Sequence, residues 1–117
     1  NKIQQVLNNL LLNAIDACEE VDKPKISFET DIKKINSENY CEINIKDNGQ
    51  GFDENIITKA FEPYKTSKKN GKGLGLAIVK SIIDEHKGEI NIKNNVVGAT
   101  IKIYLPIKQN KAKENTQ

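Results

Sequence analysis

The sequence lacks features that several classes of protein need. It contains no arginine, so any contact to a phosphate group must come from a lysine or from backbone N–H groups. No apolar run approaches the roughly 20 residues of a membrane-spanning helix, and no signal-peptide pattern is present. A net charge of +2 on 117 residues is too small to predict nucleic-acid binding. The length and these absences predict one soluble, intracellular domain with a single core.

Cysteine and histidine are also scarce, with two cysteines and one histidine. Cys18 and Cys41 lie within apolar patterns, which predicts small core residues in a reducing compartment and not a disulfide or a metal pair. A single histidine excludes a metal site built from several imidazoles. His86 follows an apolar helical stripe and precedes Gly88, which we expect to end that helix. We therefore expect His86 to cap the helix.

Apolar spacing predicts the order αββααββ and a helix layer on one face of a mixed sheet. The predicted segments are helices at 2–20, 53–61 and 74–86 and strands at 25–32, 40–47, 89–94 and 99–106, with a turn at 94–98. We expect residues 1–107 to form the domain and the polar residues 108–117 to be a disordered tail.

The stretch NGKGLGLAIVK (residues 70–80) has three closely spaced glycines before an apolar helical pattern. It lacks the GxxxxGKS/T motif of a P-loop, and no strand precedes it as in a dinucleotide-binding turn. A helix that begins near Leu74 would point its N–H groups at an anion. Lys65, Lys68, Lys69 and Lys72 add positive charge. By itself, the stretch is equally well explained as a flexible linker.

Asp47 ends a strand in which apolar residues alternate, and the alternation puts its carboxylate on the face that we expect to be buried. A buried carboxylate is costly unless it is hydrogen-bonded. One interpretation is a turn residue that bonds to the backbone of the next two residues. The other is an acceptor for the exocyclic amine of adenine, because Gly49 and Gly51 open space beside it.

Asn9 and Asn13 are one helical turn apart and share a half-buried face. Asparagine is a poor helix former, so two on such a face need partners. They could hydrogen-bond to a neighbouring helix. Alternatively, their amide oxygens could bind a hard cation such as Mg²⁺ that keeps water and substrate phosphates as its other ligands.

Taken together, the sequence resembles the ATP-binding catalytic domain of sensor histidine kinases, in the GHKL superfamily that includes DNA gyrase and the heat-shock chaperone ATPases. Five motifs occur in the family's order and cover residues 3–106: NNLLLNAIDA (N box), DNGQGF (first glycine box), FEPY (F box), GKGLGLAIVK (second glycine box) and GATIKIYLP (last box). NAIDA together with FEPYKTSK is most similar to the nitrogen-regulation kinases of the NtrB/NtrY type.

The resemblance implies a two-layer α/β sandwich, the Bergerat fold, with ATP held between the helices and a lid at residues 52–73. Carried over by position, the implied ATP-binding residues are Asn9, Asn13, Asp47, Gly49, Gly51, Phe61, Lys68, Lys72, Gly73, Leu74, Gly75 and Leu76. Asn9 and Asn13 are the implied Mg²⁺ ligands, and together with Lys68 they are the implied catalytic residues.

The sequence departs from the family at two motif positions. Asp16 stands where many relatives have a phosphate-binding lysine, which leaves more of that role to Lys68 and Lys72. Ala99 stands where relatives often have threonine. Thr100 does not replace it, because alternation turns Thr100 outward.

The activity implied by the resemblance is transfer of the γ-phosphoryl group of ATP to a histidine on a separate dimerisation domain of the same kinase, with a response regulator downstream. The full-length protein is expected to be a dimer and this fragment a monomer. The resemblance also implies a cytoplasmic domain of a longer sensor, of a kind that can be anchored in the bacterial inner membrane.

Three alternatives share the fold. A gyrase-type ATPase would carry a glutamate base where Asn9 stands. The other two are a serine kinase that acts on anti-sigma-factor antagonists and a nucleotide-binding regulator without catalysis.

Overall fold

The computed structural model of the chain describes residues 1–59 and 72–107. In chain order its elements are α1 (Lys2–Ala17), β1 (Ile26–Ile35), β2 (Glu38–Asp47), α2 (Glu54–Lys59), α3 (Lys72–Glu85), β3 (Glu89–Asn94) and β4 (Ala99–Pro106). This is the predicted order, although α3 begins before Leu74 and α1 ends before position 20. No helix in the described ranges is long and apolar enough to span a bilayer. The predicted tail at 108–117 lies outside the described residues.

The four strands form one sheet in the order β1-β2-β4-β3, and each neighbouring pair is antiparallel. The two-layer α/β architecture is confirmed, but the described strands do not form the expected mixed sheet. β1 with β2, and β3 with β4, are hairpins joined by short turns. Parallel neighbours need a crossover connection of a dozen or more residues, so these two pairs must be antiparallel. The β2–β4 pair, which a longer connection joins, is antiparallel as well.

The core lies between the inner face of the sheet and the packed pair α1 and α3. Burial of each large aliphatic side chain contributes about 1.5–3 kcal/mol. The side chains that are most completely buried are Val6 and Leu10 from α1, Leu76, Val79 and Ile83 from α3, and Ile45 and Ile103 from the sheet. Cys18 is buried in the core, as predicted, whereas Cys41 is only half-buried against it; both are free.

Strand β1 is an edge strand that α1 and α3 do not cover. Its register sets Phe28 opposite Ile45 and Ile32 opposite Cys41, so its apolar side chains have the predicted inward parity. Nevertheless, Phe28 is 43% exposed and Ile32 is 61% exposed. The helices pack mainly over the other strands, so correct parity on β1 does not lead to burial.

The C-terminal end of α3 closes in a Schellman motif. The N–H of Gly88 donates to the carbonyl of Ile83 at 2.9 Å, and the left-handed residue is Lys87, with φ of 60°. Gly88 therefore does not supply the left-handed turn; it is needed because a Cβ there would strike the backbone of β4. His86 Nδ1 lies 2.8 Å from the carbonyl oxygen of Ile82, which agrees with the expected role at the helix end.

A polar cluster lies on the outer face of the sheet. The Tyr104 hydroxyl donates to Glu42 Oε2 at 2.8 Å, and Asn44 Nδ2 donates to Glu42 Oε1 at 3.2 Å. Only 7% of Glu42 is exposed. The hydrogen bond from Tyr104 is the largest factor that holds the pKa of Glu42 below its ordinary value, and nearby lysines add to it. The same bond raises the pKa of Tyr104.

This cluster predicts a stability difference that depends on pH. A carboxyl whose pKa is lowered by folding stabilises the protein above its ordinary pKa, and that contribution is lost as the pH falls through the lowered value. We expect Glu42→Gln to be less stable than the native chain at pH 7, with the difference narrowing below the ordinary value of 4.5. Urea unfolding of both proteins from pH 7 to below pH 4.5 measures the difference in their free energies of unfolding. A difference that does not change with pH would contradict the charge-based explanation.

Candidate nucleotide site

A cavity of about 190 Å³ opens between α1, the end of β2, the segment that follows it and the start of β4. Its walls are mostly apolar, with a few polar groups. The lining residues are Leu10, Asn13, Ala14, Ala17, Ile45, Asp47, Gln50, Gly51, Phe52, Asp53, Leu76, Ala99 and Ile101. Apolar cavities of about 150 Å³ hold a molecule the size of benzene. The cavity is therefore large enough for a planar ring.

Asp47 lies at the inner face of the sheet, as its parity predicts. It pairs in register with Ala99, whose small side chain is buried beside it. The N–H of Gly49 donates to Asp47 Oδ1 at 2.8 Å, so the turn interpretation of this residue is correct. Among the described residues, none donates a hydrogen bond to Oδ2. One oxygen of the carboxylate thus fixes the side chain, and the other remains available at the cavity.

Three glycines allow backbone segments to meet beside Asp47. A Cβ at Gly49 would lie 2.8 Å from Ala17 Cβ at the end of α1. Gly51 has φ of +75°, and a Cβ there would lie 2.9 Å from Asn94 Oδ1. Gly98 has φ of +84°, and a Cβ there would strike the carbonyl oxygen of Asp47. Gly98 was not among the predicted site residues, although GATIKIYLP begins with it.

Asn48 ties the loop after α1 to the end of β2. Its Oδ1 accepts from the N–H of Lys25 at 2.8 Å, and its Nδ2 donates to the carbonyl of Lys23 at 3.0 Å. Cys18 Sγ lies 3.6 Å from the same oxygen. Asn48 therefore helps to hold Asp47 in place, a role that the sequence prediction did not assign to it.

Asn13 carries an unpaired polar atom at the cavity wall. Its amide nitrogen Nδ2 is buried and has no hydrogen-bond partner among the described residues. An unpartnered buried amide costs about 1–3 kcal/mol, which argues against helix-to-helix bonding as its purpose. Asn9 is half-buried one turn earlier on α1 but does not line the cavity. The structure therefore does not bring both asparagines to the cavity wall.

The second glycine box forms the beginning of α3. Lys72, Gly73 and Leu74 make its first turn. Gly75 follows, and a Cβ there would meet no atom within 4 Å among the described residues. Leu76 is buried and lines the cavity. The predicted site residues Phe61 and Lys68, and residues 60–71 of the expected lid, lie outside the described residues.

Comparison with known proteins identifies the family. Residues 1–109 match the family described as histidine kinase-, DNA gyrase B-, and HSP90-like ATPase. The chain belongs to this ATPase family. Its membership implies that the chain binds ATP.

Relatives within this ATPase family include named sensor kinases. The chain is 39% identical over 109 residues to a protein named sensor histidine kinase NtrY-like from Rickettsia conorii, with 92% of this chain and 18% of that protein aligned. It is 39% identical over 106 residues to the signal transduction histidine-protein kinase AtoS of Escherichia coli, with 90% and 17% aligned. The chain thus spans less than a fifth of the length of these relatives.

Solved structures of histidine kinases share the fold. The catalytic domain of the histidine kinase ThkA superposes with a TM-score of 0.73 at 34% identity, over 90% of this chain and 67% of that one. The mycobacterial sensor histidine kinase MprB gives 0.67 at 27% identity, over 90% and 70%. The fold is therefore that of a GHKL histidine-kinase catalytic domain.

Both departures from the family's motifs can be located in this ATPase domain. Asp16 is exposed near the end of α1 and does not line the cavity. Ala99 is buried at the cavity. Thr100 lies on the outer face, where its hydroxyl oxygen accepts from Asn95 Nδ2 at 2.8 Å. The prediction that Thr100 points outward is confirmed.

The site predicts a specific effect for Asp47→Asn. An asparagine can still accept from the N–H of Gly49 through its oxygen, but it turns an NH₂ group towards the ligand in place of Oδ2. A donor cannot accept from the exocyclic amine of adenine, so we expect ATP to bind at least about ten-fold more weakly, or about 1.4 kcal/mol. Titration calorimetry measures this affinity. The exposed Asp31→Asn is the matched control, and equal affinity for both variants would exclude Asp47 as the adenine acceptor.

Proposed function

We propose that residues 1–107 are the ATP-binding catalytic domain of a sensor histidine kinase, which transfers the γ-phosphoryl group of ATP to a histidine on a separate dimerisation domain. The observation that carries the proposal is the pair of unsatisfied polar groups at one cavity, Asp47 Oδ2 and Asn13 Nδ2. An acceptor from the end of β2 and a donor from α1 at one cavity suit a ligand with an amine-bearing ring and an anionic group.

Different residues of the chain would contact the adenine ring and the phosphates of ATP. Asp47 accepts from the adenine amine while the apolar walls, including Ala99 and Ile101, enclose the ring. The Nδ2 group of Asn13 donates to a phosphate oxygen. Lys72 begins α3 at the end of the expected lid, and Lys68 within the same lid would supply a further positive charge. Phosphoryl transfer depends mainly on such positioning and charge neutralisation.

Mg²⁺ is the metal that we propose for this site. The amide oxygen of Asn13 would hold it together with that of Asn9 one turn earlier, because amide and phosphate oxygens are its preferred ligands. The unpaired atom of this amide is Nδ2, which would donate to a phosphate oxygen while Oδ1 faces the ion. When bound, the ion would neutralise charge on the phosphates.

The chain supplies no nucleophile of its own in this proposal. His86, its one histidine, is placed at the end of α3 with Nδ1 at 2.8 Å from a backbone carbonyl. Asn9 occupies the position of the catalytic base in the gyrase-type ATPases, and an amide cannot accept a proton. The proposed acceptor is therefore a histidine on the dimerisation domain, and a response regulator would receive the group next.

Removal of the Asn13 amide tests the metal assignment. We expect Asn13→Ala to weaken Mg·ATP binding strongly and to leave the affinity for adenosine without Mg²⁺ nearly unchanged, because the amide contacts only the phosphates and the ion. Calorimetry with both ligands measures the two affinities. Leu12→Ala, at an exposed neighbouring position, is the control. Equal losses for both ligands would show that Asn13 serves the fold and not the metal.

Phosphoryl transfer to a partner tests the proposed function itself. We expect the isolated chain incubated with labelled Mg·ATP to release little phosphate and to remain unlabelled. General-base help typically contributes 10²–10⁴-fold, and position 9 carries an amide in place of a carboxylate base. Addition of the dimerisation domain of the parent kinase should give label on that domain alone, stable to base and labile to acid.

Rapid Mg²⁺-dependent phosphate release by the isolated chain would instead favour the ATPase alternative. Acid-stable label on an added protein would favour the serine kinase. Asn9→Glu introduces a possible base, so an increase in hydrolysis in that variant would support the explanation given for Asn9.

A further inference from the structure

We propose that Asn94 is a positioning residue that fixes the wall of the nucleotide cavity at Gly51 and Phe52. Asn94 is the last residue of β3 and does not itself line the cavity. Its side chain holds a segment 42 residues away in the chain, where the first glycine box leads into α2. This inference rests on the proposed function for its effect on nucleotide binding, but not for the contact itself.

The contact is a two-point hydrogen bond between one side chain and one backbone residue. Asn94 Oδ1 accepts from the N–H of Phe52 at 2.8 Å, and Asn94 Nδ2 donates to the carbonyl of Phe52 at 2.8 Å. A longer contact of 3.5 Å joins Nδ2 to Glu54 Oε2. An amide that engages both backbone groups of one residue reproduces the pairing of an antiparallel strand, so it fixes the peptide planes on both sides of Phe52.

The contact requires a glycine at position 51, because a side chain there would collide with Asn94. A Cβ at position 51 would lie 2.9 Å from Asn94 Oδ1 and 3.4 Å from the carbonyl oxygen of Gly98. The positive φ of Gly51 turns the chain towards β3 immediately before Phe52. The glycine therefore serves the approach of Asn94 and not only the shape of the cavity.

The register of the sheet connects Asn94 with Asp47. Ala99 pairs with Asp47 on one side and with Asn94 on the other, so the three residues form one row across β2, β4 and β3. Directly paired residues point to the same face of a sheet. The row thus presents a carboxylate to the cavity at one end and, at the other end, an amide that holds the wall at Gly51 and Phe52.

One row of paired residues therefore positions both the Asp47 carboxylate and, through Asn94, the wall of the cavity at Phe52. Phe52 is half-buried, packs against the core and lines the cavity between Gly51 and Asp53. Without Asn94, the Phe52 N–H and C=O would lose their side-chain partners. The wall would then be held only by packing, and the ring-binding part of the cavity would be ordered less well before the ligand arrives.

Asn94→Ala tests this role in the full chain, with Asn95→Ala as the matched control. Asn95 is the next residue and also makes a side-chain hydrogen bond, but it bonds to Thr100 on the outer face. In the absence of nucleotide, we expect amide exchange of Phe52 to accelerate at least ten-fold in Asn94→Ala and to stay unchanged in Asn95→Ala. Exchange in β2 and β4 should not change in either variant, which separates a local effect from global loss of stability.

Nucleotide affinity provides the second measurement. Two lost hydrogen bonds to the wall should weaken ATP and adenosine by a similar factor, roughly ten-fold, because Asn94 acts on the end of the cavity that holds the ring. Asn94→Asp retains the acceptor for Phe52 N–H but loses the donor, so it should fall between the native chain and Asn94→Ala.

The outcomes separate the two proposals. Failure of the native chain to bind ATP would refute the proposed function, while accelerated exchange at Phe52 would still establish the contact. Unchanged exchange at Phe52 in Asn94→Ala would overturn the positioning role. Accelerated exchange with unchanged affinity for ATP and adenosine would also overturn it, since the contact would then not order the binding site.

Discussion

The candidate site depends on the register between β2 and β4. That register sets Asp47 opposite Ala99 at the end of the inner face. A shift of one residue would turn Asp47 to the outer face, where Lys46 now lies. It would also remove the apolar residues Ile43 and Ile45 from the core. The buried aliphatic face therefore enforces the position of the carboxylate. Stability of the core and geometry of the site are consequences of the same pairing.

The polar side chains in and beside the cavity differ in how many of their atoms are hydrogen-bonded. Asp47 uses one oxygen for the Gly49 N–H and Asn48 uses its whole amide for the loop after α1. Asn13 retains an unpaired Nδ2. Because an unpaired buried group is costly, such groups are rare unless a ligand completes them. The pattern distinguishes polar groups that the fold pairs from those that it leaves unpaired, which residue type alone cannot do.

Period-two alternation predicted the strands and the inward direction of Asp47, because parity follows from backbone geometry. It could not predict how far Phe28 and Ile32 are buried, since that depends on which strands the helices cover. The same parity places Asn94 inward after Ile90 and Ile92, so the signal for this residue was present in the sequence. What the sequence did not contain was its partner: a contact to Phe52 spans 42 residues and depends on the assembled sheet.

The absence of arginine constrains how this chain can orient phosphate groups. A guanidinium grips two phosphate oxygens in a fixed plane, whereas a lysine ammonium acts as a flexible point charge. Lysine can therefore attract the phosphates of ATP but cannot by itself set their direction. In the proposed function, direction would come from groups held by the fold, such as the Asn13 amide on α1 and the backbone N–H groups at the start of α3. α1 and α3 pack against each other through the core. A shift between these two helices would therefore misalign the phosphates even if every lysine were retained.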